Sequence, residues 1–239
     1  MSKAESKRLT LAAMTVAAAM AILTSCGLDT YIYLFPVSQY YHFPSEQDLY
    51  NYISFPTENA LNAGTAYFKG FEIYYRIYNN KDTRASDVAS INSQNTNYPA
   101  TVYSYIITTK KYSRLNATTR ISSIPLIPRP TVASNETVNI RLYDYGTNLK
   151  GITVGGVDYG LALRTVDGVT KIGDSQYSFV FEDIEKNTSS SDISYGTFDD
   201  ASNKKYYLQA FVLAYGYDEG FKPIYSEAFN LGYLTIRDE

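Results

Sequence analysis

Gly70-Phe71-Glu72-Ile73-Tyr74-Tyr75-Arg76-Ile77-Tyr78 decides the fold class. Phe71, Ile73, Tyr75 and Ile77 fall on one face, and Glu72, Tyr74, Arg76 and Tyr78 on the other. A period of two is the signature of a β-strand with a dry face, because successive side chains leave a strand on opposite sides. Asn79-Asn80-Lys81-Asp82 ends the run with residues that favour turns and helix starts. The second face has two readings. Tyr74, Arg76 and Tyr78 are a candidate binding surface, since tyrosine gives rigid contact area at low entropic cost; alternatively they form a second apolar face covered by residues 82–130.

Downstream of Glu136 the same alternation recurs, and the chain reads as β throughout. Asn139–Tyr145 is a strand. Gly155-Gly156 separates Ile152–Val154 from Val157–Tyr159, and Asp167-Gly168 separates Leu161–Val166 from the stretch that follows. Both pairs suit tight hairpins, where glycine tolerates positive φ. Tyr177–Ile184 reads as a further strand, and Asp218-Glu219-Gly220 turns between Tyr206–Tyr217 and Ala228–Ile236. Strands at this spacing point to a sandwich or barrel. Between them the pattern weakens. Asp82–Asn97 is a helix or a loop, Thr101–Leu115 a short helix, and Ser123–Pro130 is extended by its prolines. The expected body is one domain over 46–239 with a partly helical insertion at about 80–135.

The amino-terminal residues concern location. Lys3, Lys7 and Arg8 precede an apolar run, Leu9–Leu23, that is short of the roughly 20 residues a bilayer span needs. Leu23-Thr24-Ser25-Cys26 closes it, and Cys26 is the single cysteine. This ending resembles the lipobox of bacterial lipoproteins. The resemblance implies a signal peptide over 1–25, cleavage before Cys26, a diacylglyceryl group on its sulfur, and a place in the bacterial cell envelope attached to a membrane. Two or more acyl chains are what stable anchoring requires. Residues 26–45 would be lipid-proximal. Tyr31, Tyr33 and Phe35 alternate with Ile32 and Leu34 as a candidate first strand stopped by Pro36; the other reading puts these aromatics in the membrane interface. Ser45-Glu46-Gln47-Asp48 has the form of a capping box.

Gly70–Ile77, together with Tyr207–Val212, Tyr225-Ser226-Glu227 and Leu231-Gly232, resembles the central and last strands of fibronectin type III and related immunoglobulin-like modules. The lipobox joined to Tyr-rich strands without tryptophan also resembles spirochete lipoproteins. The module implies binding or scaffolding more often than catalysis. The chain departs from it in lacking the usual tryptophan and in the long insertion after the central strand.

Composition narrows the chemistry. A precursor charge of −3 becomes −5 once three cations and Glu5 leave with residues 1–25, so nothing draws the chain to nucleic acid. His42 is the only histidine, so a triad or a histidine base must use it, and among aromatics before Pro44 it reads as a packing residue. A lipidated Cys26 would leave no thiol, zinc lacks donors, and no metal or cofactor is expected. Calcium at Asp199-Asp200, beside Ser202 and Asn203, is the one metal reading left open. Glu182-Asp183, Asp199-Asp200, Asp144, Asp158 and Asp167 are the carboxylates a glycoside-type hydrolase would need in pairs. Lys110, Lys111, Arg114, Arg120 and Arg129 form the densest basic region. With 25 tyrosines, the expectation is a non-enzymatic binding module whose partner is a protein or a saccharide. An envelope-assembly subunit and a carboxylate hydrolase are the rivals.

Overall fold

A computed structural model describes residues 32–121, 124–170 and 178–238. Leu23, Thr24, Ser25 and Cys26 lie outside the described residues. The chain first lays down β1 (Tyr52–Pro56) and the long β2 (Phe68–Tyr78), then the short β3 (Ser113–Arg114), β4 (Asn116–Ala117) and β5 (Ile127–Pro128). Next come β6 (Thr137–Arg141), β7 (Gly151–Val154), β8 (Val157–Asp158) and β9 (Ala162–Leu163). β10 (Ile193–Ser194), β11 (Lys205–Tyr217), β12 (Pro223–Tyr225) and β13 (Phe229–Arg237) follow. The protein is mainly β, built on antiparallel sheets.

The larger sheet is organised around β2. It pairs antiparallel with β11 from Tyr78↔Tyr207 to Phe68↔Gly216, and β11 carries β13 and β12 on its other edge. β3 and β5 pair antiparallel with β2, and β10 joins it in parallel. The contact with β5 depends on Gly70. Its φ is +144°, and a Cβ there would lie 2.0 Å from the Ile127 carbonyl oxygen. The smaller sheet runs β1-β6-β7-β8, with β1 lying against β13. Ile53, Phe55, Val138, Ile140, Ile152 and Val154 are its large buried apolar side chains, two apart on each strand as the pleat requires. A Tyr41–His42 strip pairs with Ser54 and lengthens this sheet beyond β1.

Both faces of β2 are dry. The helix Lys81–Asn97 starts on Asn80, whose side chain accepts from Thr83 N at 2.8 Å, a standard N-cap. It and the helical segment Val102–Thr109 cover the second face. There Ile91, Val102 and Ile106 pack with Tyr74, Tyr78, Tyr112, Tyr207 and Phe211. Of the two readings of that face, the covered one fits the structure.

Two sequence expectations change, and the short helical turn expected at Ser45-Glu46-Gln47-Asp48 is present. Residues 32–40 form no strand; the Phe35 backbone is instead held by the Asn62 side chain, which accepts from Phe35 N and donates to Phe35 O, each at 2.9 Å. One amide replaces a strand partner. The Tyr177–Ile184 stretch, of which Tyr177 lies outside the described residues, ends in a helix over Phe181–Lys186. Phe181 and Ile184, three apart, are its buried residues, and Glu182 and Asp183 sit in the first turn where acids suit the helix dipole. The capping-box stretch yields one 3-10 turn, Asp48–Tyr50.

Candidate functional site

The outward face of the smaller sheet carries a groove of about 640 Å³. Pairing across β1, β6 and β7 sets its floor in two rows. Tyr52 faces Arg141, which faces Gly151; Ser54 faces Asn139, which faces Thr153, which faces Asp158. Alternation puts Ile53, Val138, Ile140 and Ile152 in the core and leaves Tyr52, Arg141, Asn139, Thr153 and Asp158 to line the groove, whereas Ser54, paired with the Tyr41–His42 strip, is buried. Tyr50 and Leu149, exposed at 43% and 77%, stand among the lining residues with Asn148 and Lys150.

Tyr52 is held in place from two directions. The His42 ring stacks on it at 4.0 Å between centroids and 12° between planes, and the Arg141 guanidinium lies 4.6 Å from its centroid. His42 Nε2 lies 2.9 Å from the Tyr50 carbonyl oxygen. Arg141 donates to the carbonyls of Asp48 and Leu49 at 3.3 and 3.4 Å, tying the 48–50 turn to the sheet. Partial burial lowers the Arg141 pKa against the opposing pull of Tyr52, but a guanidinium stays charged at any physiological pH. A smaller hollow of about 370 Å³, lined by Asp48, Tyr143, Asp144 and Arg237, shares Arg141 with the groove. Asn139 donates to Thr153 at 3.3 Å, a long bond that a ligand hydroxyl could replace.

Chemically, the groove can stack a ring and exchange hydrogen bonds. Its one lining carboxylate, Asp158, accepts from Gly160 N at 2.7 Å, whereas glycoside hydrolysis needs two facing carboxylates. Among the described residues, no three of His, Cys, Asp and Glu converge as a metal site would require.

The structure disperses most of the residues singled out from sequence. Tyr74 and Tyr78, the candidate binding surface with Arg76, are 4% and 0% exposed. The Tyr74 hydroxyl donates to Glu72, the Tyr78 hydroxyl donates to Asp87 at 2.9 Å, and Arg76 donates to the Lys110 carbonyl. This face therefore makes internal contacts, and the binding-surface expectation is corrected. Asp144 and Asp199 accept from the backbone amides of Lys150 and Lys81, and Asp200 from those of Ser202 and Asn203. Asp183 accepts from the Ser178 hydroxyl. They serve turns and helix starts. The basic region also scatters: Lys110 pairs with Asp87 at 2.7 Å, Arg114 with Glu72 at 3.6 Å, Arg120 lies over Tyr159, and Arg129 bonds the Ala63 carbonyl.

Sequence reasoning missed one buried cluster. Arg164 and Asp192, both without solvent exposure, form a two-pronged pair at 2.9 and 2.8 Å. The Tyr75 hydroxyl donates to Asp192 at 2.8 Å and accepts from Thr165 N at 2.8 Å. Burial works against the guanidinium charge, but Asp192 and Tyr75 outweigh it and hold the Arg164 pKa above its ordinary value. Burial, then Asp192, pushes the Tyr75 hydroxyl well above the usual range. The cluster is closed to solvent and serves the fold. No protein-family model, curated protein or solved structure matches the chain.

Proposed function

We propose that this protein is an exported, lipid-anchored binding module of the bacterial envelope, acting by contact without bond chemistry. The anchor is argued from the basic start, the short apolar run and the Leu23-Thr24-Ser25-Cys26 ending. Its body is read as a divergent immunoglobulin-like sandwich. Supporting that reading, β2 pairs with β11 and β11 with β13, while β1 pairs with β6, which matches the C-F-G and B-E neighbours of that architecture. The insertion after β2 and the parallel β10 are departures.

The contact site is the groove over β1, β6 and β7, and the ligand class it fits best is a saccharide. One observation carries this: an exposed ring, Tyr50, stands over a row of neutral hydrogen-bonding groups, Asn139 and Thr153, on a floor ordered by the His42–Tyr52–Arg141 stack. Sugars present an apolar ring face and a rim of hydroxyls, which need that pairing of a flat surface with convergent polar atoms. A glycan array probed with the full chain tests it. Binding that disappears in Asn139→Ala/Thr153→Ala supports the reading; an array without any bound glycan rejects it.

A further inference from the structure

Thr30 to Ser45 contains no Asp, Glu, Lys or Arg, yet it holds Tyr31, Tyr33, Phe35, Tyr40, Tyr41 and Phe43. From residue 32 onward this stretch is pinned to the body. Leu34 and Val37 are 2% and 1% exposed, Asn62 clamps Phe35, and the Ser38 hydroxyl donates to Glu58 at 2.6 Å. Between these pins and the Tyr41–His42 pairing with Ser54, and just beyond it, the aromatics point outward: Tyr40 is 50% exposed, Tyr41 60% and Phe43 43%. Tyr40 and Phe43 touch each other, with ring centroids 5.1 Å apart, and Phe43 seats against Gly232, where a Cβ would come within 2.8 Å of its ring. A stretch with buried pins and outward aromatics is a fixed surface.

We infer that the Tyr40–Phe43 cluster is a contact with the bilayer interface that orients the domain on its membrane. The inference rests on the proposed anchor at Cys26 and extends it from attachment to orientation. Three observations favour a membrane over a protein as the occupant. Tyrosine is enriched at the headgroup level because its ring is apolar and its hydroxyl stays wet. The cluster carries no acidic residue for an anionic leaflet to repel, although the mature chain is net acidic. The tether is short as well: seven residues from Cys26 to Tyr33 reach at most about 25 Å. The anchor and the body's nearest aromatics are therefore confined to one neighbourhood of the surface.

The absence of tryptophan supplies the test, because one introduced indole is then the only one. The full chain carrying Tyr41→Trp would be purified from a bacterial host and placed in phosphatidylcholine/phosphatidylglycerol vesicles with brominated acyl chains. Val157→Trp is the control. It is 61% exposed on β8, four strand positions from the Tyr41–His42 strip across the smaller sheet, about 19 Å away. The expected result is a blue shift and loss of about half the emission for Tyr41→Trp, with the Val157→Trp emission unchanged. Tyr40→Trp repeats the measurement should Tyr41→Trp fold poorly by circular dichroism. An unquenched indole in the cluster, or equal quenching at both sites, overturns the inference and leaves the aromatics to a protein partner. The mass of the amino-terminal peptide from the same preparation reports the anchor separately. Acylated Cys26 with an unquenched indole rejects the orientation and keeps the anchor; free Cys26 with a quenched indole does the reverse.

Discussion

Replacing Asp192 with alanine is expected to unfold this protein at far lower temperature, although the residue is remote from the groove. Asp192 receives two bonds from Arg164 and one from Tyr75, and neither charged side chain touches solvent. Removing the carboxylate leaves a guanidinium in the interior with no counter-charge, a change that typically costs about 3–5 kcal/mol. For a domain of this size each kcal/mol lowers Tm by roughly 2–4 °C, so the expected fall is about 6–20 °C. Against a total stability of about 5–15 kcal/mol, that is a large fraction. The companion variant Arg164→Met/Asp192→Leu separates the pair's worth from the cost of orphaning one member. A buried pair and an apolar replacement of similar volume are often nearly equal in stability, so the double variant is expected to be clearly more stable than Asp192→Ala alone. Thermal unfolding followed by circular dichroism reads both. A loss below about 1 kcal/mol for Asp192→Ala would refute the assignment, since no closed charge pair is that cheap to break.

Glu72 should give stability an unusual dependence on pH. Burial is the largest influence and raises its pKa above 4.5, against the Tyr74 hydrogen bond and Arg114. With the folded value above the unfolded one, its contribution is complete below the ordinary glutamate pKa and is lost as pH rises through the raised value. Urea midpoints across that window should fall less in Glu72→Gln than in the parent; parallel curves would contradict the account. Gly70→Ala should cost about 2–4 kcal/mol in a denaturant titration, because its φ is +144° and the added Cβ collides with the Ile127 carbonyl. Asn51→Ala should cost about 2–3 kcal/mol. Its side chain donates to Thr235 O at 2.8 Å and accepts from Thr235 N at 2.9 Å, and hydrogen exchange at Thr235 should quicken in the variant.

Local signals were legible wherever backbone geometry demands a residue type. The Gly155-Gly156 and Asp167-Gly168 turns sit at positive φ, from 51° to 82°, and sequence marked both. The alternation of β2 was legible for the same reason, since a strand's period is imposed by its pleat. What covers its second face was not legible. Glu72, Tyr74, Arg76 and Tyr78 are residue types that sit as well against water as beneath a helix. The helix that covers them, Lys81–Asn97, has Ile91 as its one fully buried residue, too little periodicity to announce a packing face. Phe179-Val180-Phe181 looked like strand by composition, and only the i, i+3 contact of Phe181 with the interior made its end a helix. The groove was hidden for a different reason. Tyr52, Asn139 and Thr153 are 87 and 14 residues apart in turn, and only strand pairing brings them into line.

The location of function follows from which surfaces the fold leaves open. An antiparallel sheet commonly packs one face on the core and leaves the other to solvent. Here that face is occupied by the protein's own helices, which spend Tyr74, Tyr78 and Tyr112 on internal hydrogen bonds and ring contacts. The edge of β13 is occupied too, by Asn51, whose amide imitates a strand at Thr235. Among the described residues, two surfaces that combine exposed aromatics with ordered neighbours lie side by side: the groove over β1, β6 and β7, and the charge-free stretch ending at Ser45. They are joined through His42, whose backbone pairs with Ser54 and whose ring stacks on Tyr52. A bilayer seated against Tyr40, Tyr41 and Phe43 would therefore hold the groove at the membrane surface, where long envelope polysaccharides are within reach. Changing His42 to alanine would disturb both surfaces together, whereas Asn139→Ala would touch the groove alone; that asymmetry is the physical content of placing one residue between them.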